Sequence, residues 1–131
     1  GHLPVEVKLP EAPAVLTVDP VLIRHALFNL LVNAAQATPD GGDGIEISLE
    51  RGEDRERNLP GWTLAVTDHG RGMSPEVMEK IFVPFYTTRS DGTGLGLPVV
   101  QHVALLHDGQ VTVSSEPGHG TRFAMWLPDP V

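Results

Sequence analysis

The sequence contains no cysteine, which excludes disulfides, thiolate metal sites and cysteine nucleophiles. Basic residues are scarce: nine Lys and Arg stand against seventeen Asp and Glu, and a net charge of −8 argues against general binding to nucleic-acid phosphates. There is no apolar run of about 18 residues that would cross a membrane, and no signal peptide is visible. The chain has 131 residues, of which 40% are hydrophobic, and this fits one globular domain over residues 1–131. We expect this domain to be excised from a longer chain.

Capping and turn signals divide the chain into helices and strands. Asp19 and Pro20 form a strong helix start, and the stretch 38–42 (TPDGG) is a stop signal, so we predict a helix from Pro20 to about Ala37. The other expected elements are strands over 5–9, 15–18, 44–51, 62–67, 110–115 and 121–127, a short helix over 74–81, a helix over 98–107, a charged loop over 53–60 and a long loop over 82–97. This order predicts an α/β (α+β) two-layer sandwich, with helices on one face of a mostly antiparallel sheet.

The long helix has a polar arc opposite its apolar arc. Asn29, Asn33 and Gln36 share this arc, and the carboxamides of Asn29 and Asn33 are one turn apart. A carboxamide oxygen suits Mg²⁺, which keeps several waters and shares phosphate oxygens. A solvated helix face would show the same pattern, so the helix alone leaves both interpretations open.

An acidic residue directly follows a predicted buried strand. Asp68 is followed by Gly70 and Gly72, and a carboxylate at a strand end can accept a hydrogen bond from an exocyclic amine such as that of adenine. The glycines allow a sharp turn and a close approach of the backbone to a flat ligand. An ordinary Asp-Gly turn remains the alternative.

Alternating glycines over residues 92–96 lead into the helix predicted at Pro98. Free N–H groups and the helix dipole make such a segment an anion cradle, although its spacing is neither that of a Rossmann motif nor that of a Walker A loop. Leu95 and Leu97 argue against a flexible linker, because they would anchor the loop to a core.

Three of the seven aromatic residues lie within residues 82–86. We predict that they anchor one end of a mobile segment, although ordinary core packing would also explain them. Arg89 would place a permanent charge near phosphates, or it is a surface charge.

In this order, the segments resemble the catalytic ATP-binding domain of sensor histidine kinases, within the superfamily of DNA gyrase, heat-shock chaperones and mismatch-repair ATPases. The similar segments are the N box at 29–34, the first glycine box at 68–72, the F box at 82–85, the second glycine box at 92–97 and a closing strand motif at 118–123. The resemblance covers residues 3–128, and the run 84–89 is most similar to the nitrogen-regulation branch with its short lid. It implies a Bergerat-type fold, a mixed five-stranded sheet covered by three helices.

The resemblance also implies a site for ATP and Mg²⁺. In it Asn33 would be the Mg²⁺ ligand, Asn29 would lie beside the phosphates, and Asp68 would accept from the adenine amino group with Thr121 nearby. Since Gln36 stands where many members have Lys or Arg, Arg89 is the candidate replacement cation. The implied catalytic residues are Asn29, Asn33 and Arg89; the implied nucleotide contacts are Asn29, Asn33, Asp68, Gly70, Gly72, Thr87, Thr88, Gly92, Thr93, Gly94, Leu95, Gly96, Leu97 and Thr121.

The implied activity is donation of the γ-phosphoryl group of Mg-ATP to a histidine on a separate helical hairpin of the parent protein. None of the six histidines has the family's acceptor context, so we expect the isolated chain to be inactive in autophosphorylation. We also expect the isolated domain to be monomeric. A response regulator would be an indirect partner. No nucleic acid or direct membrane contact is expected, and the domain would be cytoplasmic even in a membrane-anchored parent.

Other functions of the same superfamily remain open. An ATP-hydrolysing clamp would resemble the gyrase-like relatives, which carry a Glu four residues before the Mg²⁺-binding Asn. Asn29 occupies that position and cannot act as a base at neutral pH. A nucleotide-sensing module without transfer is disfavoured by the complete set of boxes. A serine kinase of the anti-sigma type is disfavoured by the F box and the glycine-rich lid.

Overall fold

The computed structural model describes residues 4–38, 42–86 and 96–130. Its elements are β1 (Val5–Lys8), α1 (Pro20–Ala37), β2 (Ile45–Asp54), β3 (Leu59–Asp68), α2 (Pro75–Met78), α3 (Gly96–Leu106), β4 (Gln110–Glu116) and β5 (Gly120–Pro128). The five strands form one sheet in the order β1-β2-β3-β5-β4, in which β1 is parallel to β2 and the other pairs are antiparallel. The predicted two-layer sandwich with a mixed, mostly antiparallel sheet and three helices is confirmed.

The core lies between one face of this sheet and the helices. A row of cross-strand partners, Ile47, Val66, Phe123 and Val113, crosses four strands on that face. The helical residues buried against it are Ala26, Leu30 and Ala34 of α1 and Val100, Val103 and Ala104 of α3. Burial of these apolar side chains therefore fixes both helices on the same face.

Helix α1 has the bounds that its sequence signals predict. The side chain of Asp19 accepts hydrogen bonds from two backbone N–H groups of the first turn, with Pro20 as the first helical residue. At the other end the hydroxyl of Thr38 donates to the carbonyl of Ala34 at 2.8 Å, and Thr38 itself leaves the helical conformation. Both ends are thus fixed by local side-chain chemistry.

The strand predicted over 15–18 is wrong. These residues belong to no strand or helix, and the position beside β2 is held by β1. Leu16 and Val18 pack against the core instead. Apolar alternation therefore placed two side chains correctly but could not supply a hydrogen-bonding partner for the backbone.

The charged loop predicted over 53–60 is too long, because half of these residues belong to strands. β2 and β3 continue to Asp54 and Leu59, and a four-residue turn joins them. The carboxylate of Asp54 pairs with the guanidinium of Arg57, which lies 5.2 Å from the ring centroid of Trp126. The indole N–H of Trp126 donates to the carbonyl of Gly52 at 3.1 Å. Charged residues are compatible with strand here because an ion pair and a cation–π contact cover the end of the hairpin.

The two later helices differ from prediction at their ends. α3 begins at Gly96, two residues before the expected start at Pro98, because N–H groups of a first turn have no helical partner and proline is tolerated there. It ends at Leu106, where Asp108 adopts a left-handed φ of 58°. α2 ends at Met78, and the remaining residues of its predicted span form turns.

Candidate functional site

The carboxyl group of Asp68 is buried at the end of β3. The residue is 2% exposed, and one carboxylate oxygen accepts the backbone N–H of Gly70 at 2.9 Å. Burial raises the pKa of Asp68 above its ordinary value of 3.8, and the backbone N–H groups of Gly70 and Thr121 oppose that rise. A buried carboxyl with a shifted pKa, set among fixed backbone groups, is a candidate for ligand recognition.

The loop that follows Asp68 is held from two sides. The N–H of Arg71 donates to the carbonyl of Ala37 at the end of α1, at 3.1 Å, and the carbonyl of Arg71 accepts the N–H of Gly118 at 2.7 Å. The N–H of Met73 donates to the hydroxyl oxygen of Ser115 on β4 at 2.8 Å. The loop therefore bridges the end of α1 and the β4–β5 hairpin, and it cannot move independently of either.

Both glycines predicted for this loop are required by close backbone contacts. A Cβ on Gly70 would lie 2.1 Å from the carbonyl oxygen of Ala37. A Cβ on Gly72, which has a φ of 69°, would lie 1.9 Å from the carbonyl oxygen of Glu116. The local packing accounts for both glycines, and their contact with a nucleotide stays a prediction.

Thr121 lies beside Asp68 on the neighbouring strand. The two residues are cross-strand partners of β3 and β5, and Thr121 is buried. Its hydroxyl oxygen is 2.8 Å from that of Ser115. The structure therefore brings two predicted base contacts together on the helical face of the sheet.

One face of α1 connects the loop after Asp68 with the start of α3. Asn29, Asn33 and Ala37 follow each other at intervals of one turn, over a span of about 12 Å. A Cβ on Gly96 would lie 3.6 Å from the side-chain oxygen of Asn29, while Ala37 contacts Gly70. Asn33 is half-buried and lies on α1 between the part that contacts the loop after Asp68 and the part beside the N-terminus of α3.

The side chains of α1 could supply only a few ligands to a metal ion, and phosphate oxygens and water would have to supply the others. Within residues 4–38, 42–86 and 96–130 there is no group of three His, Cys, Asp or Glu side chains that could hold a metal. One carboxamide oxygen, from Asn33, together with phosphate oxygens and water is the kind of set that Mg²⁺ accepts. The predicted contacts Thr87, Thr88, Arg89, Gly92, Thr93, Gly94 and Leu95 lie outside the described residues.

The aromatic cluster is only partly an anchor. Phe82 packs edge-to-face on Phe123 with ring centroids 6.5 Å apart, which confirms it as a core contact. Phe85 is 75% exposed and has a left-handed φ of 68°, so the expectation that it anchors the segment is wrong. At the other end of the segment, Leu97 packs against the core as predicted.

Ser115 lies in the candidate site but belongs to none of the sequence motifs that predicted the other residues. It lies at the end of β4 and contacts both Met73 and Thr121. Its sequence neighbourhood, an alternating strand before a turn, carries no signal for this role. The contact with Met73 joins residues 42 positions apart, which only the folded sheet brings together.

Residues 18–131 match the family described as "Histidine kinase-, DNA gyrase B-, and HSP90-like ATPase". The chain belongs to this ATPase family, and the resemblance to the catalytic ATP-binding domain of histidine kinases is confirmed. The relatives that match most of this chain are sensor histidine kinases.

Sensor histidine kinase ZraS of Salmonella typhi is 41% identical over 110 residues, which are 84% of this chain and 22% of the relative. Sensor-like histidine kinase SenX3 of Mycobacterium bovis is 40% identical over 126 residues, or 90% of this chain and 29% of the relative. The solved mycobacterial sensor histidine kinase MprB matches with a TM-score of 0.74 and 27% identity, over 97% of this chain and 84% of that chain.

The chain therefore spans less than a third of the length of these curated relatives. It corresponds to one part of longer proteins. Among the helices that the structure describes, none combines the length and the apolar character needed to span a membrane.

Proposed function

We propose that this chain binds ATP with Mg²⁺ and donates the γ-phosphoryl group to a histidine on a separate helical domain of its parent protein. The observation that carries the proposal is the buried Asp68, held by Gly70 and a loop tied to α1, in a chain of this ATPase family. Residues 1–131 would form one domain of that parent, acting in two-component signalling.

Asp68 would recognise the base. A carboxylate accepts hydrogen bonds and cannot donate them when ionised, so it favours the exocyclic amine of adenine over the carbonyl of guanine. Its oxygen is already oriented by the N–H of Gly70. The close packing at Gly70 and Gly72 would keep the loop backbone near a flat ring.

The Asn face of α1 would address the phosphates. Asn33 would offer its side-chain oxygen to Mg²⁺, and Asn29 would donate its amide N–H to a phosphate oxygen beside Gly96. The N-terminus of α3 presents N–H groups without helical partners toward the same side. Bound Mg²⁺ would neutralise phosphate charge, which is the main requirement of phosphoryl transfer besides positioning.

The acceptor histidine would lie outside this chain. Among the described histidines, His107 uses both ring nitrogens in backbone contacts, one with the carbonyl of Val103 and one with the N–H of Asp19. Asn29, at the position where clamp ATPases carry a glutamate, cannot activate water. The chain would supply position and charge stabilisation, and the acceptor domain would supply the nucleophile.

Calorimetry with Mg-ATP, Mg-ADP and Mg-GTP tests the binding half of the proposal. We expect ATP and ADP to bind and GTP to bind at least about tenfold more weakly, since guanine leaves the Asp68 carboxylate without a donor. Asp68→Asn should weaken binding with or without metal, while Asn33→Ala should weaken only the metal-dependent part. Asp43→Asn, an exposed Asp-to-Asn change, is the matched control. Equal metal dependence of the two site variants would show that their roles are wrongly assigned.

Radiolabelled ATP tests the transfer half. The chain alone should neither label itself nor release phosphate at an appreciable rate. Mixed with the helical hairpin of its own parent, it should place acid-labile label on the hairpin, and only in the mixture. Strong label on this chain, or fast phosphate release without the hairpin, would contradict the proposal.

A further inference from the structure

The hydroxyl of Ser115 joins three segments at the edge of the proposed base pocket. Its oxygen lies 2.8 Å from the N–H of Met73, 2.9 Å from the carbonyl of Gly120 and 2.8 Å from the hydroxyl oxygen of Thr121. Thr121 is the cross-strand partner of the buried Asp68. Ser115 is therefore one contact away from the residues that would meet the base.

The hydrogen bonds around Ser115 favour one arrangement of the protons in this cluster. A serine hydroxyl has one proton to donate and two lone pairs to accept with. The carbonyl of Gly120 can only accept, so the Ser115 proton goes there. The N–H of Met73 can only donate, and it takes one lone pair of Ser115. The remaining lone pair faces Thr121, whose hydroxyl proton must point to Ser115.

This arrangement fixes what Thr121 can offer to a ligand. With its only proton directed at Ser115, the Thr121 hydroxyl presents lone pairs in its other directions. Asp68, on the same face of the sheet, is also an acceptor when ionised. The pocket wall formed by these two residues is thus lined by acceptors and presents no side-chain donor.

We propose that Ser115 is a specificity-determining positioning residue: by holding the hydroxyl proton of Thr121, it makes the pocket select a base with an exocyclic amine over one with a carbonyl. The inference rests on the proposed function, since it concerns the base end of the same site. A ligand carbonyl opposite Asp68 and Thr121 would meet only acceptors, and the unpaired polar groups would penalise it.

Removal of the Ser115 hydroxyl should release this constraint. The Thr121 hydroxyl would then be free to rotate and to donate to a carbonyl on the base. Discrimination between amine and carbonyl should fall, whereas a serine that merely supports the fold would weaken all nucleotides equally. The ratio of two affinities therefore separates the two roles.

The test compares the affinities for Mg-ATP and Mg-ITP, whose bases differ by an amine and a carbonyl at one position. We expect the wild-type chain to prefer ATP, and Ser115→Ala to lower the ATP-to-ITP ratio by about three- to tenfold. Ser114→Ala removes a hydroxyl from the exposed neighbour on the same strand and should leave the ratio unchanged. If Ser115→Ala does not fold, Ser115→Cys keeps the volume with a weaker acceptor and should shift the ratio in the same direction.

A double-mutant cycle with Thr121→Val completes the test. In the Thr121→Val background, Ser115→Ala should no longer change the ratio, because there is no hydroxyl proton to direct. A ratio that stays at its wild-type value in Ser115→Ala, or that shifts equally in the Thr121→Val background, overturns the role of Ser115 while ATP binding stands. A wild-type chain that binds neither nucleotide overturns the proposed function itself.

Discussion

Two nearly buried carboxylates have opposite electrostatic environments. Asp68 is 2% exposed and Asp54 is 5% exposed. Burial raises the pKa of Asp68, whereas the guanidinium of Arg57 lowers the pKa of Asp54. The difference follows from the partner: the direct hydrogen bond from the Arg57 guanidinium outweighs desolvation at Asp54, whereas backbone N–H groups and more distant charges do not outweigh it at Asp68. Asp68 thus has a charge that is costly for folding, as expected of a group kept for a ligand.

Asp68→Asn should stabilise the folded chain at neutral pH while it weakens nucleotide binding. The raised pKa means that the folded state favours the protonated carboxyl, so wild-type stability is lost as pH rises from 3.8 through the folded pKa of Asp68. Thermal unfolding followed by circular dichroism should show a midpoint a few degrees higher for the variant at pH 7. The gain should shrink as the pH falls below 3.8, because the carboxyl then becomes protonated in both states. A lower midpoint at pH 7 would contradict the assignment.

Asp54→Asn should have the opposite effect on stability. The lowered pKa of Asp54 means that its contribution is present above 3.8 and is lost as pH falls through the folded value. The same scans should show a lower midpoint for Asp54→Asn at pH 7 and a converging midpoint in acid. Nucleotide affinity should be unchanged, because Asp54 lies at the far end of the hairpin. A midpoint that falls equally at both pH values would point to packing rather than charge.

At the scale of elements, the loop after β3 packs so closely against the backbone that a side chain at Gly72 has no room. Gly72 and Gly118 both have a left-handed φ, of 69° and 80°, but only Gly72 faces a close backbone oxygen. Gly118→Ala should therefore cost about 1–2 kcal/mol through φ alone. Gly72→Ala should cost clearly more, because the chain must also move away from Glu116. Urea unfolding measures both, and equal losses would contradict this contact.

The ring of His107 connects the start of α1 with the end of α3. His107 contacts the carbonyl of Val103 at 2.8 Å through Nδ1 and accepts the N–H of Asp19 at 2.9 Å through Nε2. His107→Ala should lower the free energy of unfolding by about 1–2 kcal/mol and speed amide exchange at Asp19. His102, which is exposed on α3, is the matched control, and His102→Ala should change neither. If amide hydrogen exchange at Asp19 is unchanged in His107→Ala, the ring does not hold the start of α1.

Local signals predicted the elements whose ends are fixed locally. The bounds of α1 follow from Asp19, Pro20 and Thr38 because capping is decided within a few residues. The strand predicted at 15–18 and the loop predicted at 53–60 are wrong because strand pairing depends on which neighbour is available. Ser115 was beyond prediction for the same reason, since its partners come from other strands and loops.

At the scale of the whole molecule, the candidate site is assembled from four elements at one end of the sheet. The motifs predicted the candidate residues, and the structure places those it describes on β3, β5, α1, α3 and the loop after β3, while their contact with a nucleotide stays a prediction. The face of α1 from Asn29 to Ala37 connects the loop after Asp68 with the N-terminus of α3. That connection follows from helical spacing, so it could be predicted for Asn29 and Asn33 but not for the contact of Ala37 with Gly70.

Both tryptophans of the chain lie away from this end of the sheet. Trp62 is six residues before Asp68 on β3, about 20 Å along the strand, and Trp126 is five residues after Thr121 on β5, about 17 Å. Each lies under an arginine, Arg51 or Arg57. Intrinsic tryptophan fluorescence should therefore report unfolding with a large spectral shift and remain nearly unchanged when Mg-ATP is added. A strong quench on nucleotide addition would mean that ligand binding is transmitted along the whole length of the strands.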